Sequence, residues 1–454
     1  MRRLLYDRKG NVAILFALAL LPVVGAMGAA VDYSSANAYR TQIQKALDST
    51  ALALTKVVPV TQQELDARGQ EFFFANLGSV PQLSGVKLTI TPASGIMLIE
   101  ATALYRPALV NVLGITQFPL SAKAEARWGN TRLRVALVLD VTGSMASAGK
   151  LSAMKTATVN LLNQLQNAAT VNSDVYVSIV PFNKDVAVAT SNYTANWILW
   201  DDGVTTADTS WDALNGTCSK SSYTTRSTCI KQGTCSKSQY TTASTCTSHN
   251  GTWTAATWTP KAHSTWNGCI TDRNQNYDTN NTAPTTGTTG TLFPAEQYAS
   301  CDSSMAVTSL TYDWTALTNK VNSLTAQGNT NQAIGLQLGW QTLTSAPFTI
   351  PSFDPDYKYK QAIILLSDGL NTQDRWYTSA SQIDARQSIT CANVKAAGIT
   401  LYTVQVNTGG DPTSTVLKNC ATDASKFFML TSGSQIITTF SQIATELSNL
   451  RLSQ

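Results

Sequence analysis

Arg134-Val135-Ala136-Leu137-Val138-Leu139-Asp140-Val141-Thr142-Gly143-Ser144-Met145 is the stretch whose reading decides the fold. Val135 to Leu139 is an unbroken apolar run, as expected of a strand buried on both faces of a parallel sheet. A carboxylate and two hydroxyls, Asp140, Thr142 and Ser144, follow it directly. A second apolar run, Ala362 to Leu366, leads into Ser367-Asp368-Gly369, and Gly328-Asn329-Thr330-Asn331 opens a helical stretch. Around these pieces helical and extended patterns alternate. Leu151–Leu165, Trp314–Leu324, Gln332–Leu343 and Ala380–Ala397 read as helices; Val175–Val180, Ile399–Val406 and Phe427–Leu430 read as strands. Ile436, Phe440, Ile443, Leu447 and Leu450 mark one face of a closing helix. The alternation predicts a doubly wound, mostly parallel α/β sheet.

Such a sheet binds ligands outside the carboxyl ends of its strands. Asp140 and Asp368 sit just past two strands and belong on that edge, with Thr142 and Ser144 on the first turn. Thr330 would join them from the N-cap of its helix. Singly, each is more often a cap or a turn former. Jointly, they offer hard oxygen donors of the kind that suit Mg²⁺.

Upstream, Val12 to Val31 are uncharged and mostly apolar, about 30 Å as a helix and long enough to span a bilayer. Arg2, Arg3, Arg8 and Lys9 precede the run and Asp32 follows it. The positive flank places the N-terminus in the cytoplasm and the bulk of the chain outside. The rival reading is a signal peptide cut near Gly28-Ala29-Ala30. Tyr33 to Lys56 continues as a helix. Val86–Ile90, Met97–Ala101 and Ala122–Ala126 then alternate as strands within a region running to Trp128. A long helix followed by a small meander is a pilin-like α+β layout; the plainer alternative is a stalk. The expected domains are 1–32 (tail and anchor), 33–130 (helix and meander) and 131–454 (the α/β sheet).

An interruption, about residues 191–309, breaks the α/β pattern. Between Asp201 and Ser300 the only Val, Leu or Ile residues are Val204, Leu214, Ile230, Ile270 and Leu292, too few for an ordinary aliphatic core. The segment does hold Trp211, Trp253, Trp258 and Trp266, and six of the eight cysteines. Gly216-Thr217-Cys218-Ser219-Lys220-Ser221 recurs as Gly233-Thr234-Cys235-Ser236-Lys237-Ser238, and Gly251-Thr252-Trp253 opens a degenerate third copy. This reads as a disulfide- and Trp-stapled insertion; Gln275 to Thr291 reads equally well as a low-complexity loop. All eight cysteines lie beyond the apolar run, which argues for disulfides in an oxidising compartment. Spacing alone cannot choose among the pairings. The local assignment is Cys218 with Cys229, Cys235 with Cys246, Cys269 with Cys301, and Cys391 with Cys420.

A net charge of +4 over 454 residues, with no basic stripe, points away from nucleic acid. Only His249 and His263 occur, both in the insertion, and no nucleophile–base pair is visible, so an enzyme is the weakest reading.

Asp140-Val-Thr142-Gly-Ser144 resembles the DxSxS signature of the von Willebrand factor A domain, with Thr142 where Ser is commoner. Gly328-Asn-Thr330-Asn resembles that family's threonine motif and Ser367-Asp368-Gly its second aspartate. The N-terminal stretch from Arg8 to Asp48 resembles TadG-like proteins of the bacterial tight-adherence (Flp) pilus machinery. Trp266-Asn-Gly-Cys-Ile-Thr-Asp272-Arg273 and Gly335-Leu-Gln-Leu-Gly-Trp340 resemble their A domain. The resemblance implies a metal-ion-dependent adhesion site of Asp140, Thr142, Ser144, Thr330 and Asp368, holding Mg²⁺ (or Mn²⁺ or Ca²⁺). It also implies a single-pass protein of the bacterial inner membrane, mostly periplasmic, binding other pilus or secretion proteins through an acidic side chain. A prepilin-type cut after Gly10 conflicts with Leu15 at the fifth following position, where Glu is expected, so an uncleaved anchor is predicted. The alternative is a secreted or surface-displayed adhesin for a host or matrix ligand.

Overall fold

A computed structural model describes residues 11–55, 61–93, 96–127, 131–169, 171–355, 357–410 and 412–452. The basic residues before the apolar run, the cut after Gly10 and Trp128 lie outside the described residues. The chain divides into two units between residues 130 and 131.

In the first unit, α1 (Asn11–Leu54) is one uninterrupted helix with two different surroundings. Leu15, Phe16 and Leu18 are 65%, 66% and 62% exposed, whereas Ile43, Leu47 and Leu54 are fully buried. The first half is long and apolar enough to cross a membrane. The second half packs on a meander of β1 (Leu83–Ala93), β2 (Ile96–Tyr105) and β3 (Phe118–Arg127), paired antiparallel in that order. Met97, Ile99, Ala101, Ala103 and Tyr105 alternate inward from β2, the period-two signature of a half-buried strand. The sequence reading missed α2 (Gln62–Leu77). It begins with a capping box in which Thr61 Oγ1 accepts from Glu64 N and the Glu64 carboxylate accepts from Thr61 N.

The second unit is built on a six-stranded sheet. Its elements are β4 (Thr131–Asp140), α3 (Lys150–Ala168), β5 (Val175–Phe182), β6 (Thr308–Thr311), α4 (Trp314–Ser323), α5 (Gln332–Thr344), β7 (Lys358–Ser367), α6 (Ala380–Ala396), β8 (Thr400–Val406), α7 (Thr415–Cys420), β9 (Phe427–Leu430) and α8 (Ser434–Leu452). The strand order is β6-β5-β4-β7-β8-β9, parallel throughout except for the antiparallel edge strand β6. β4 sends Val135, Leu137 and Leu139 to a core shared with α3, α4 and α8, and Ala136 and Val138 to one shared with α5, α6 and α7. Burial on both faces is the reason its sequence is apolar without alternation. β6 begins at Thr308, inside the stretch expected to belong to the insertion.

The insertion contributes more to the core than its composition predicts. Ile198, Trp211, Trp266, Ile270 and Phe293 are buried in the same cluster as α5 and the central strands. Four short segments, Val186–Ala187, Cys269–Ile270, Phe293–Glu296 and Ile198–Leu199, form a second sheet in that order. The repeated motifs make two ribbons, Gly216–Cys218 against Trp258–Pro260 and Gly233–Cys235 against Trp253–Ala255. In each, the Trp ring lies over the Gly: a Cβ there would come within 2.6 Å at Gly216 and 2.5 Å at Gly233. Disulfides join Cys218–Cys229, Cys235–Cys246, Cys269–Cys301 and Cys391–Cys420. Residues 275–291 are ordered around Arg273, a fully buried guanidinium that donates to the carbonyls of Asn280, Thr282 and Thr291.

Candidate metal centre

β4 and β7 run side by side with Leu139 opposite Leu366, so both end on one edge. Strand order reverses there: β5 lies on one side of β4, and β7 to β9 on the other. The carboxyl-end crevice at such a reversal is the ligand-binding position of α/β sheets.

Asp140 closes β4 and Ser367 closes β7, and Ser367 Oγ donates to Asp140 Oδ2 at 2.6 Å. The other carboxylate oxygen, Oδ1, accepts from Thr142 N at 2.8 Å. The hydroxyls of Thr142 and Ser144 are 3.0 Å apart, and Ser144 Oγ donates to Asp368 Oδ1 at 2.7 Å. Asp368 Oδ2 is ion-paired with Lys150, a buried ammonium from the first residue of α3. Burial pushes the Asp140 carboxyl up from the usual range and the Asp368 charge adds to it; the bonds from Ser367 and Thr142 act in the opposite sense.

Thr330 reaches the same edge through its backbone. Gly143 N donates to Gly328 O at 3.0 Å, which ties this loop to the one after β4. Gly328 turns with φ of 86°, a conformation glycine adopts without strain. Thr330 N donates to Thr372 Oγ1 at 2.8 Å, and Thr330 O accepts from Thr372 N at 2.9 Å, on the loop after Asp368. Thr330 is not the helix cap expected from sequence. Asn331 is, its Oδ1 accepting from Ile334 N at 3.3 Å, because the side chain one residue later faces the free N–H groups of α5. Asp140, Thr142, Ser144 and Asp368 therefore form one hydrogen-bonded chain, and Thr330 is linked to it through Gly328 and Thr372.

Several residues that hold this arrangement were not singled out from the sequence. Gln332 Nε2 donates to Ser367 Oγ and to Gly369 O, and Gln332 Oε1 accepts from Gln387 Nε2. Asn331 Nδ2 donates to Asp272 Oδ2 at 2.8 Å, which ties the insertion to the residue after Thr330. Tyr298 Oη, also from the insertion, accepts from Asn329 N. One sequence signal was available: Gln332, Gln337 and Gln341 interrupt a largely apolar helical stretch, and a glutamine buried there must have a partner.

The donor set is two carboxylates and hydroxyls on three loops that touch one another; Asp140, Thr142, Thr330 and Asp368 are buried and Ser144 is exposed. Among the described residues, no three His, Cys, Asp or Glu side chains gather as a metal-ligating group. Carboxylate and hydroxyl oxygens are the donor type that hard cations such as Mg²⁺ and Ca²⁺ take.

No curated protein matches the chain. Among solved structures it is similar to the pilus adhesin SpaC of Lactobacillus rhamnosus GG, at 12% identity and a TM-score of 0.36, over 82% of this chain and 35% of that one. It is also similar to the von Willebrand factor domain of the type V pili tip protein Mfa5 of Porphyromonas gingivalis, at 10% identity and TM-score 0.37, over 71% of this chain and 97% of that one. A third is the adhesive tip pilin GBS104 of Group B Streptococcus agalactiae, at 8% identity and TM-score 0.35, over 80% and 68%. The chain thus spans about a third of SpaC. The family model described as "Putative Flp pilus-assembly TadE/G-like" matches residues 10–54. That similarity is confined to the leading helix.

Proposed function

We propose that this chain is a membrane-anchored, metal-dependent protein-binding component of the Flp pilus machinery, and that its second unit is a von Willebrand factor A-like domain. The observation that carries the reading is the hydrogen-bonded chain from Asp140 through Thr142 and Ser144 to Asp368, at the point where the strand order reverses. Asp140, Thr142, Ser144, Thr330 and Asp368 would hold Mg²⁺, or Mn²⁺ or Ca²⁺ in its place. When bound, the cation supplies an electrophilic point for a partner's carboxylate. The chain's own contribution is positional. Ser367 and Thr142 N orient Asp140, Lys150 and Ser144 orient Asp368, and the Gly328 turn brings in Thr330. The role read here is binding: the site would recruit a partner's carboxylate.

The placement that fits is a single pass through the bacterial inner membrane, with the N-terminus cytoplasmic and the rest periplasmic. Partners are then other pilus or secretion proteins. The released-adhesin reading is less well supported, because α1 continues unbroken through Ala30 and Gly28 packs within 3.2 Å (as a Cβ) of Leu109 Cβ. A cut there would remove a contact the fold uses.

The test is thermal melting of the purified full chain with and without Mg²⁺. Wild type is expected to melt higher with Mg²⁺, and Asp140→Ala and Asp368→Ala to lose that difference. Equal melting of wild type in both conditions refutes metal dependence.

A further inference from the structure

Between β2 and β3 the chain reads Pro107-Ala108-Leu109-Val110-Asn111-Val112-Leu113-Gly114-Ile115, an apolar loop on the outside of a small domain. Its middle is a short 3₁₀ turn, Val110–Leu113. Val110 is buried, but Leu109 and Ile115 are 49% and 44% exposed. Surface loops are usually polar, and neither side chain adds to the core of this unit, so their exposure needs a reason.

Its position along α1 gives one. Leu109 Cβ would lie 3.2 Å from a Cβ at Gly28, so the loop rests against the helix at that residue. Gly28 is inside the apolar run, which ends at Val31; the axial rise between them is about 4.5 Å. Met27 and Val31, on either side of Gly28, are 65% and 54% exposed. Tyr33, 75% exposed, follows directly, an aromatic at the level where membrane helices place Tyr and Trp.

Asp32 fixes the loop at this depth. One carboxylate oxygen accepts from Leu109 N at 2.8 Å and Val110 N at 2.7 Å, and the other from Ala108 N at 3.0 Å. The side chain is 2% exposed. An ionised carboxylate at the edge of hydrocarbon is costly unless its oxygens are satisfied. Here three backbone N–H groups satisfy it, and the same bonds hold the loop against the helix.

We infer that the Leu109–Ile115 loop is a second membrane contact, inserting Leu109 and Ile115 into the headgroup–acyl boundary beside α1. This rests on the proposed bilayer span of α1. The occupant is lipid and not another protein because the surface is continuous with the span: whatever solvates Met27 and Val31 meets Leu109 at the same level. Apolar side chains shallow in the interface are the pattern of peripheral membrane anchors. With the loop attached, the first unit touches the bilayer at two points, which restricts rotation about the anchor.

The test uses the full chain in phosphatidylcholine vesicles containing nitroxide-labelled lipid, shallow or deep. All eight native cysteines are in disulfides, so a cysteine introduced at Leu109→Cys, Ile115→Cys, Leu20→Cys or Lys261→Cys is the one free thiol to carry an environment-sensitive fluorophore. The expected result is blue-shifted emission at 109 and 115, quenched more by the shallow than the deep nitroxide. Leu20→Cys should be quenched by the deep one and Lys261→Cys by neither. Quenching at Leu20 without quenching at 109 and 115 overturns the loop contact and leaves the anchor standing. No quenching at Leu20 overturns the anchor itself, and the loop contact with it. If Leu109→Cys does not fold, Ile115→Cys decides, since Ile115 is exposed and its loss opens no packed contact with Gly28.

Discussion

At the scale of single residues, the site is held by groups whose removal strands a buried partner. Ser367 Oγ donates to Asp140 and accepts from Gln332, and all three are buried. Ser367→Ala leaves both partners short of a bond, which costs about 1–3 kcal/mol. A fall in melting temperature of several degrees, with the proposed Mg²⁺-induced shift also reduced, is the expected result. An unchanged melt would mean that Ser367 does not orient Asp140. Asp272 gives a pH-dependent prediction. Burial, with the charges of Asp374 and Asp185, pushes its carboxyl up to about 8. The unfolded chain loses that proton near pH 3.9, so between roughly pH 4 and 8 the native state binds more protons than the unfolded one. Stability therefore falls as pH rises through that window, by at most about 1.4 kcal/mol per pH unit from this group. Asp272→Asn retains an acceptor for Asn331 Nδ2 and Arg375 N without the ionisation. Melting curves between about pH 5 and 8 should be flatter for the variant, and parallel curves would remove Asp272 as the source.

At the scale of elements, α5 shows how closely the site is tied to the sheet. A Cβ at Gly335 would lie 2.7 Å from the Phe182 ring. Gly335→Ala gains about 1 kcal/mol in helix propensity and loses about 1–3 kcal/mol to overpacking. Phe182 is fully buried at the end of β5 and has nowhere to move, so the loss wins. Lower stability in chemical denaturation checks this. The Cys391–Cys420 bridge ties α6 to α7 on either side of β8. Replacing both cysteines with serine is expected to cost about 2–4 kcal/mol. These elements also mark where the sequence is legible. The runs forming β4, β7 and β8 could be read because burial on both faces leaves only apolar residues. What local pattern does not carry is partnership across the fold. Lys150 looks like any helix-start lysine until Asp368 is set beside it, and Ser367 looks like a turn residue until β4 and β7 are in register. The edge strand β6 is four residues long with Leu310 its one apolar residue, too short for periodicity to speak.

At the scale of the whole molecule, the insertion has two parts with different roles. The segments carrying Trp211, Trp266, Ile270 and Phe293 share the main core, and Asp272 and Tyr298 tie them to the loop bearing Thr330. The repeated ribbons stand apart. Their strands pair only with each other, and their disulfides close within each copy. Gly216 and Pro260 are register partners, so the ribbon pair leaves and rejoins the fold at adjacent points. Excising residues 219–257 with a short Gly/Ser turn, and replacing Cys218 with Ser, should therefore spare the sheet and its site. The contacts given up are chiefly Arg226 with Asp201 and Ser227 with Asp208. Arg226 is partly buried and also donates to Val204 O; its ion pair with the exposed Asp201 is of the kind worth about 0–1 kcal/mol. The expected variant melts within a few degrees of wild type and keeps in full the Mg²⁺-induced shift proposed for it. Collapse of the fold on excision would show instead that the ribbons support the core, and would place them with the Trp211 and Trp266 segments.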